Sequence, residues 1–164
     1  MRRVLLIALL TAAPATFAAN SIMPQLAGSY THRFKNGDIS GAVYYTTDTV
    51  EIVPLDPARA AINLDLHFFN GHICTVSGIA NLEGKRLVYQ DREPSSYSDS
   101  GCRLEIWRDR DSLRWSDGEG RSCRSYCGAR GGLYNGEISY RSRRKVSASR
   151  AKQMREDPEG LSEF

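Results

Sequence analysis

Between Ser29 and Tyr140 apolar and polar residues alternate with period two, and helical periodicity is scarce. Tyr30, His32 and Phe34 would share one strand face, and Asn36-Gly37-Asp38 is a turn signal. Residues 39–46 predict a second strand, and Thr47-Asp48 predicts a turn into a third at 50–53. Asp56-Pro57 predicts a short helical turn, with Asp56 as cap and Pro57 at its first position. Ile62, Leu64, Leu66 and Phe68 alternate with Asn63, Asp65 and His67, the clearest half-buried strand of the chain. Asn70-Gly71 then reads as a hairpin turn into a strand at 73–80. Glu83-Gly84 turns the chain into 87–89, and a polar loop is expected at 93–101. A strand at 102–107 turns at Asp109-Arg-Asp111 into 113–115, and 133–140 predicts the last strand. Residues 20–26 read as an arm. Ser147 reads as the cap of a short helix ending before Pro158, in a tail expected to be mobile or loosely docked.

Eight or nine short strands joined by tight turns imply an all-β antiparallel meander. Closure removes unpaired edges, so the expected fold is a small up-and-down barrel. Its boundaries are drawn at 19–140, after a leader at 1–18 and before a tail at 141–164.

The leader carries Arg2 and Arg3, an apolar run at 4–10 and a small-x-small site at Thr16-Phe17-Ala18. That pattern is a secretory signal peptide. The run is far short of the roughly 20 residues that span a bilayer, so no transmembrane segment is expected. The implied location is the periplasm of a Gram-negative cell, or outside it. Export changes the reading of Cys74, Cys102, Cys123 and Cys127. An even count in an oxidising compartment points to two disulfides. Zinc is the competing reading, but Cys123-x3-Cys127 has no matching second pair. The strand order gathers all four cysteines at one rim. Three connectivities are possible, and the hairpin geometry favours Cys102 with Cys123 and Cys74 with Cys127.

Charge is uneven. Arg141, Arg143, Arg144, Lys145, Arg150, Lys152 and Arg155 precede four acids within 156–164, so a basic arm leads into an acidic end. Export and the absence of interleaved aromatics argue against nucleic acid as its partner. Anionic envelope polymer or lipid headgroups fit that compartment better.

The candidate chemistry lies elsewhere. His32, His67 and His72 show no metal-ligating spacing, no G-x-S-x-G elbow is present, and no cofactor motif is found. An enzyme is not expected; a carboxylate pair for glycoside hydrolysis remains as a third reading. In Gly128-Ala129-Arg130-Gly131-Gly132 the glycines are expected to adopt positive φ and let a disulfide-bound loop pass close to the sheet. That loop would present Arg130 on a preorganised support, with Tyr126 and Tyr134 as aromatic neighbours.

Ser40-Gly41-Ala42-Val43-Tyr44 resembles the S-G-x-x-Y signature of bacterial periplasmic lysozyme inhibitors of the membrane-bound/periplasmic C-type class. The resemblance implies a small exported β-barrel whose motif residues, here Ser40, Gly41 and Tyr44, enter and block a lysozyme cleft. The chain lacks that family's Trp-x-Lys-Gly segment. Separately, Cys127-Gly-Ala-Arg130 is similar to a group of uncharacterised exported proteobacterial proteins. The function expected is therefore a binding or inhibitor-type protein acting on a lysozyme-like cell-wall hydrolase. The alternative is an envelope-associated structural or stress protein that binds anionic polymer through its basic arm. By strand count Ser40 falls at the rim opposite the cysteines, so Ser40 and Arg130 would lie at opposite ends.

Overall fold

The computed structural model describes residues 22–91, 101–119 and 121–160. The expected leader at 1–18 and most of the expected 93–101 loop lie outside them. The described residues contain one eight-stranded antiparallel sheet in simple up-and-down order. Its strands are β1 (Gly28–Gly37), β2 (Val43–Pro54), β3 (Arg59–His67), β4 (Ile73–Glu83), β5 (Arg86–Gln90), β6 (Arg103–Asp109), β7 (Ser112–Ser116) and β8 (Gly136–Ser139). We call the end at which odd-numbered strands finish the upper rim.

Register follows the apolar alternation. Tyr30 pairs with Val50, Val50 with Leu64, Leu64 with Val76 and Leu113 with Ile138, and all are buried. One inward position must be glycine: a Cβ at Gly78 would come within 2.6 Å of the Tyr89 ring, which fills that part of the interior. The sheet curls into a nearly closed barrel. β8 spans only four residues, and the gap to β1 is closed by a single bridge in which Ser29 and Arg144 exchange two backbone hydrogen bonds of 2.8 Å.

Four expectations are corrected. First, no turn occurs at Thr47-Asp48. β2 runs unbroken through it, because Thr47 and Asp48 pair with Arg33 and His32, and Asp48 Oδ1 accepts from the His67 amide at 2.7 Å. Neighbouring strands override the local turn preference. Second, β2 begins at Val43 rather than at residue 39, so Ser40 lies in a turn. Third, residues 55–58 form a bend between strands, not a helical turn, closed by Asp56 Oδ1 accepting from Ala58 N at 2.8 Å.

The fourth correction concerns the ends of the chain. The expected arm contains α1 (Met23–Leu26), a helical turn whose Met23 and Leu26 are buried under the lower rim. The expected loose tail carries α2 (Ala148–Glu156), capped by Ser147 as foreseen. Met154 is fully buried and Val146 nearly so, against the outer faces of Val53 and Ala61. Arg150 donates to Glu51 at 2.8 Å, and Ser77 donates to the Glu159 carbonyl at 3.0 Å. The weak apolar face of this helix concealed one methionine in the right place.

Candidate functional site

The upper rim is built from three connections stitched to one another. In the β1–β2 turn Asp38 Oδ1 accepts from the Ser40 hydroxyl at 2.5 Å, from Ser40 N at 2.8 Å and from Ala42 N at 3.1 Å. The Ser40 hydroxyl is the largest cause holding the Asp38 carboxyl below its ordinary pKa. Gly41, at φ +85°, supplies a backbone conformation that L-residues with side chains rarely adopt.

The second connection, at 68–72, contains a 3-10 turn, Phe69–Gly71, and locks onto the first. Asn36 Nδ2 donates to the Phe68 carbonyl at 3.0 Å, and Ile39 N donates to Asn70 Oδ1 at 3.3 Å. Gly71 N donates to the Tyr44 hydroxyl oxygen at 3.2 Å. That bond fixes the half-buried Tyr44 ring, and its own O–H has no acceptor among the described residues.

The third connection is the long 117–135 segment, where disulfides replace regular structure. Cys74 is joined to Cys127 and Cys102 to Cys123, the favoured pairing, and no described cysteine is free. The bridges lie at one rim, as expected. Gly128 N donates to the Ile73 carbonyl at 2.8 Å. The glycines here serve close approach rather than positive φ, and the expectation of left-handed backbone is corrected. A Cβ on Gly131 would come 2.6 Å from Cys74 Sγ, and one on Gly128 would come 2.8 Å from His72 Nδ1. The Arg124 guanidinium binds the Ala129 and Gly131 carbonyls and spans the loop from inside.

Arg130 is exposed at the tip and makes no hydrogen bond or ion pair among the described residues. Its guanidinium lies over the Phe69 ring, 5.4 Å from the centroid. Because Phe69 belongs to the connection that holds Tyr44, the structure brings Ser40, Gly41, Tyr44 and Arg130 to the same rim. The expected opposition of Ser40 and Arg130 came from the extra turn at Thr47-Asp48. Removing one turn reverses the direction of every strand after it relative to β1.

Tyr126 and Tyr134 divide. Tyr126 is an anchor: it donates to Asp91 Oδ2 at 2.6 Å, and the Tyr89 hydroxyl lies 3.1 Å from its own. Burial, then these partners, raise its pKa far above that of a free phenol. Tyr134 is exposed, with Arg121 over its ring at 4.6 Å.

Sequence reasoning missed the apolar character of this rim. Ile39, Val43, Tyr45, Phe69, Ile73 and Tyr134 are the large hydrophobics exposed among the described residues, and all six lie at the upper rim. Tyr45 also carries a guanidinium, Arg33, at 4.7 Å. Apolar residues inside or beside turn signals, as at Ile39, Val43 and Phe69, were the available clue.

The barrel mouth opens between these loops as a cleft of about 520 Å³, bounded by Asp48, Phe68, Trp115, Arg121, Arg130 and Tyr134 among others. Trp115 is buried, and its indole N–H has no acceptor among the described residues. Burial raises the Asp48 carboxyl above its ordinary pKa against the lowering effect of the His67 amide. No group of three or more His, Cys, Asp or Glu side chains among the described residues is placed to hold a metal ion.

The basic arm is largely occupied. Arg143 donates to the Pro24 and Ala27 carbonyls and to the Tyr140 hydroxyl, at 2.6 to 2.8 Å. Arg150 pairs with Glu51 and Lys152 with Glu156. The side chains of Arg141, Lys145 and Arg155 make no hydrogen bond or ion pair among the described residues. No described helix is long and apolar enough to cross a membrane. No protein-family model matches the chain, and no curated protein or solved structure is significantly similar to it.

Proposed function

We propose that this chain is an exported, periplasmic binding protein of the inhibitor type, which uses its upper rim to block a lysozyme-like cell-wall hydrolase. One observation carries the reading: every large exposed hydrophobic among the described residues sits at that rim, beside Ser40, Tyr44 and Arg130. Clustered exposed apolar surface marks interaction sites, and aromatic side chains with arginine are the commonest anchors of protein interfaces. The disulfides hold this surface before a partner arrives, which lowers the ordering cost of association.

The donors suit a carboxylate-lined cleft. Arg130 offers a fixed charge, and the Tyr44 oxygen is already an acceptor for Gly71, so its proton is available to a partner. The Ser40 hydroxyl spends its proton on Asp38 and accepts from Ala42 N at 3.4 Å, which leaves one lone pair for an incoming N–H. The resemblance of the 40–44 motif to lysozyme inhibitors points to the same class of partner. The reading is tested by adding purified mature protein to lysozyme-type hydrolases and measuring cell-wall lysis. Inhibition at micromolar concentration is expected, and the absence of any slowing overturns the reading.

A further inference from the structure

A second cleft, of about 450 Å³, opens at the other end of the barrel between α2, residues 143–146 and the β1–β2 edge. Its floor is apolar and includes Val53, Pro54, Val146 and Ala151. Its walls carry Arg143, Arg144, Lys145 and Arg155, and no carboxylate lines it. Two of the four bases are committed to the fold. Arg143 holds the α1 carbonyls, and Arg144 donates to the Arg141 and Arg143 carbonyls at 3.2 and 2.9 Å. Lys145 and Arg155 are exposed and have no hydrogen-bonding or ionic partner among the described residues.

An apolar floor beneath uncompensated positive charge favours one class of ligand. A neutral lipid would leave the cations unanswered, and a small inorganic anion would leave the floor wet. The volume lies in the range of about 300–1,000 Å³ typical of small-molecule sites. We infer that this cleft binds a monoacyl anion, with the carboxylate or phosphate head on Lys145 and Arg155 and the chain along Val53, Pro54, Val146 and Ala151. The site lies at the opposite rim from the proposed hydrolase surface and does not depend on it.

The test is isothermal titration of the mature protein with dodecanoate, methyl dodecanoate, inorganic phosphate, anionic phosphatidylglycerol vesicles and an anionic polysaccharide. Dodecanoate is expected to bind saturably at one per chain, and the uncharged ester at least about tenfold more weakly. The Lys145→Glu/Arg155→Glu double variant should lose at least about tenfold in dodecanoate affinity with an unchanged melting temperature in the absence of ligand. These side chains are exposed, so the variant should fold. Ala151→Trp, which fills the floor, should weaken dodecanoate binding at least about tenfold. Inhibition of a hydrolase through the upper rim should be unaffected by the double variant, which separates the two readings. Equal dodecanoate affinity in the double variant overturns the inference. So does binding confined to phosphate, to vesicles or to the polysaccharide.

Discussion

The two rims of this barrel are held by different chemistry. At the upper rim two disulfides, three interlocked connections and glycines at close approach fix a surface with little regular structure. At the lower rim there is no covalent link. Tyr30 and Tyr140 donate to the carbonyls of Leu26 and Gln25 at 2.8 Å, and Arg143 and Arg108 lie over the Tyr140 ring. The Ser29–Arg144 bridge closes the barrel there. The contrast explains where exposed apolar surface is placed. Loops that must keep shape while exposing Ile39 and Phe69 cannot bury those side chains for stability, and cross-links replace the missing core. The lower rim buries Met23, Leu26 and Met154 and uses Arg143 and Arg144 as hydrogen-bond donors to the backbone.

The largest expected effect comes from the covalent side. Replacing Cys74 and Cys127 together by Ala frees a loop with a separation of 53 residues, against 21 for Cys102 and Cys123. Chain entropy assigns about 4 kcal/mol to the first and about 3 kcal/mol to the second. Urea unfolding of both double variants should rank them in that order. The reverse order would show that the shorter loop is what holds the upper rim together.

Next is the non-covalent rim. Met154→Ala empties a fully buried site beneath α2 and should destabilise by about 3 kcal/mol. Truncation after Tyr140 should cost more, because it also removes the closing bridge and the three Arg143 bonds. If Met154→Ala unfolds within about 0.5 kcal/mol of wild type, as substitutions away from buried features do, the tail is not part of the lower rim's support.

The fold class, the disulfide pairing and the inward face of β3, with Ile62, Leu64 and Leu66, were legible, because burial on one face leaves a period-two signature in the sequence. The candidate site was legible only in pieces. Ser40, Tyr44 and Arg130 were singled out from motif and loop chemistry. Their shared rim was not, because it depends on whether the chain turns at Thr47-Asp48, and the pairing of Asp48 with His32 and His67 lies outside any local window. The tail was misjudged for a related reason. A short helix with one buried methionine has little amphipathic signal, and its partners Val53 and Ala61 already look like ordinary strand residues.

A smaller effect sharpens the functional side of the comparison. Because Ser40, Tyr44 and Arg130 share a rim, both Ser40→Ala/Tyr44→Ala and Arg130→Ala should weaken hydrolase binding. Each should lose about tenfold or more, or about 1.4 kcal/mol. Arg130→Ala should leave melting unchanged, whereas Ser40→Ala/Tyr44→Ala, which removes the Asp38 and Gly71 bonds, should lower it slightly. Charge reversal at Arg141, on the basic arm beyond this rim, should leave binding unaffected. A loss confined to one of the first two variants would shrink the site to one connection.

The smallest effect is a pH dependence that belongs to the upper rim. Asp48 and Asp117 are both raised above their ordinary carboxyl pKa, chiefly by burial; backbone donors, His67 N for Asp48 and Cys123 N for Asp117, act in the opposite direction. A carboxyl whose pKa is higher in the folded chain binds more protons there than in the unfolded chain. Each group therefore disfavours the fold above its folded pKa, and that penalty is relieved as pH falls through the folded value toward the unfolded one. Asp38 and Asp56 are lowered, and they act oppositely: their stabilisation is present above the unfolded pKa and is lost as pH falls through the folded one. From neutral pH downward the raised pair titrates first, so a shallow gain in stability should precede acid unfolding. Asp48→Asn and Asp117→Asn keep an acceptor oxygen for His67 N and Cys123 N and remove the charge, and each should flatten that gain. Urea midpoints measured between pH 7 and pH 4 would show it, and an unchanged profile in both variants would mean that the two carboxyls are solvated well enough at the mouth to titrate as they do in the unfolded chain.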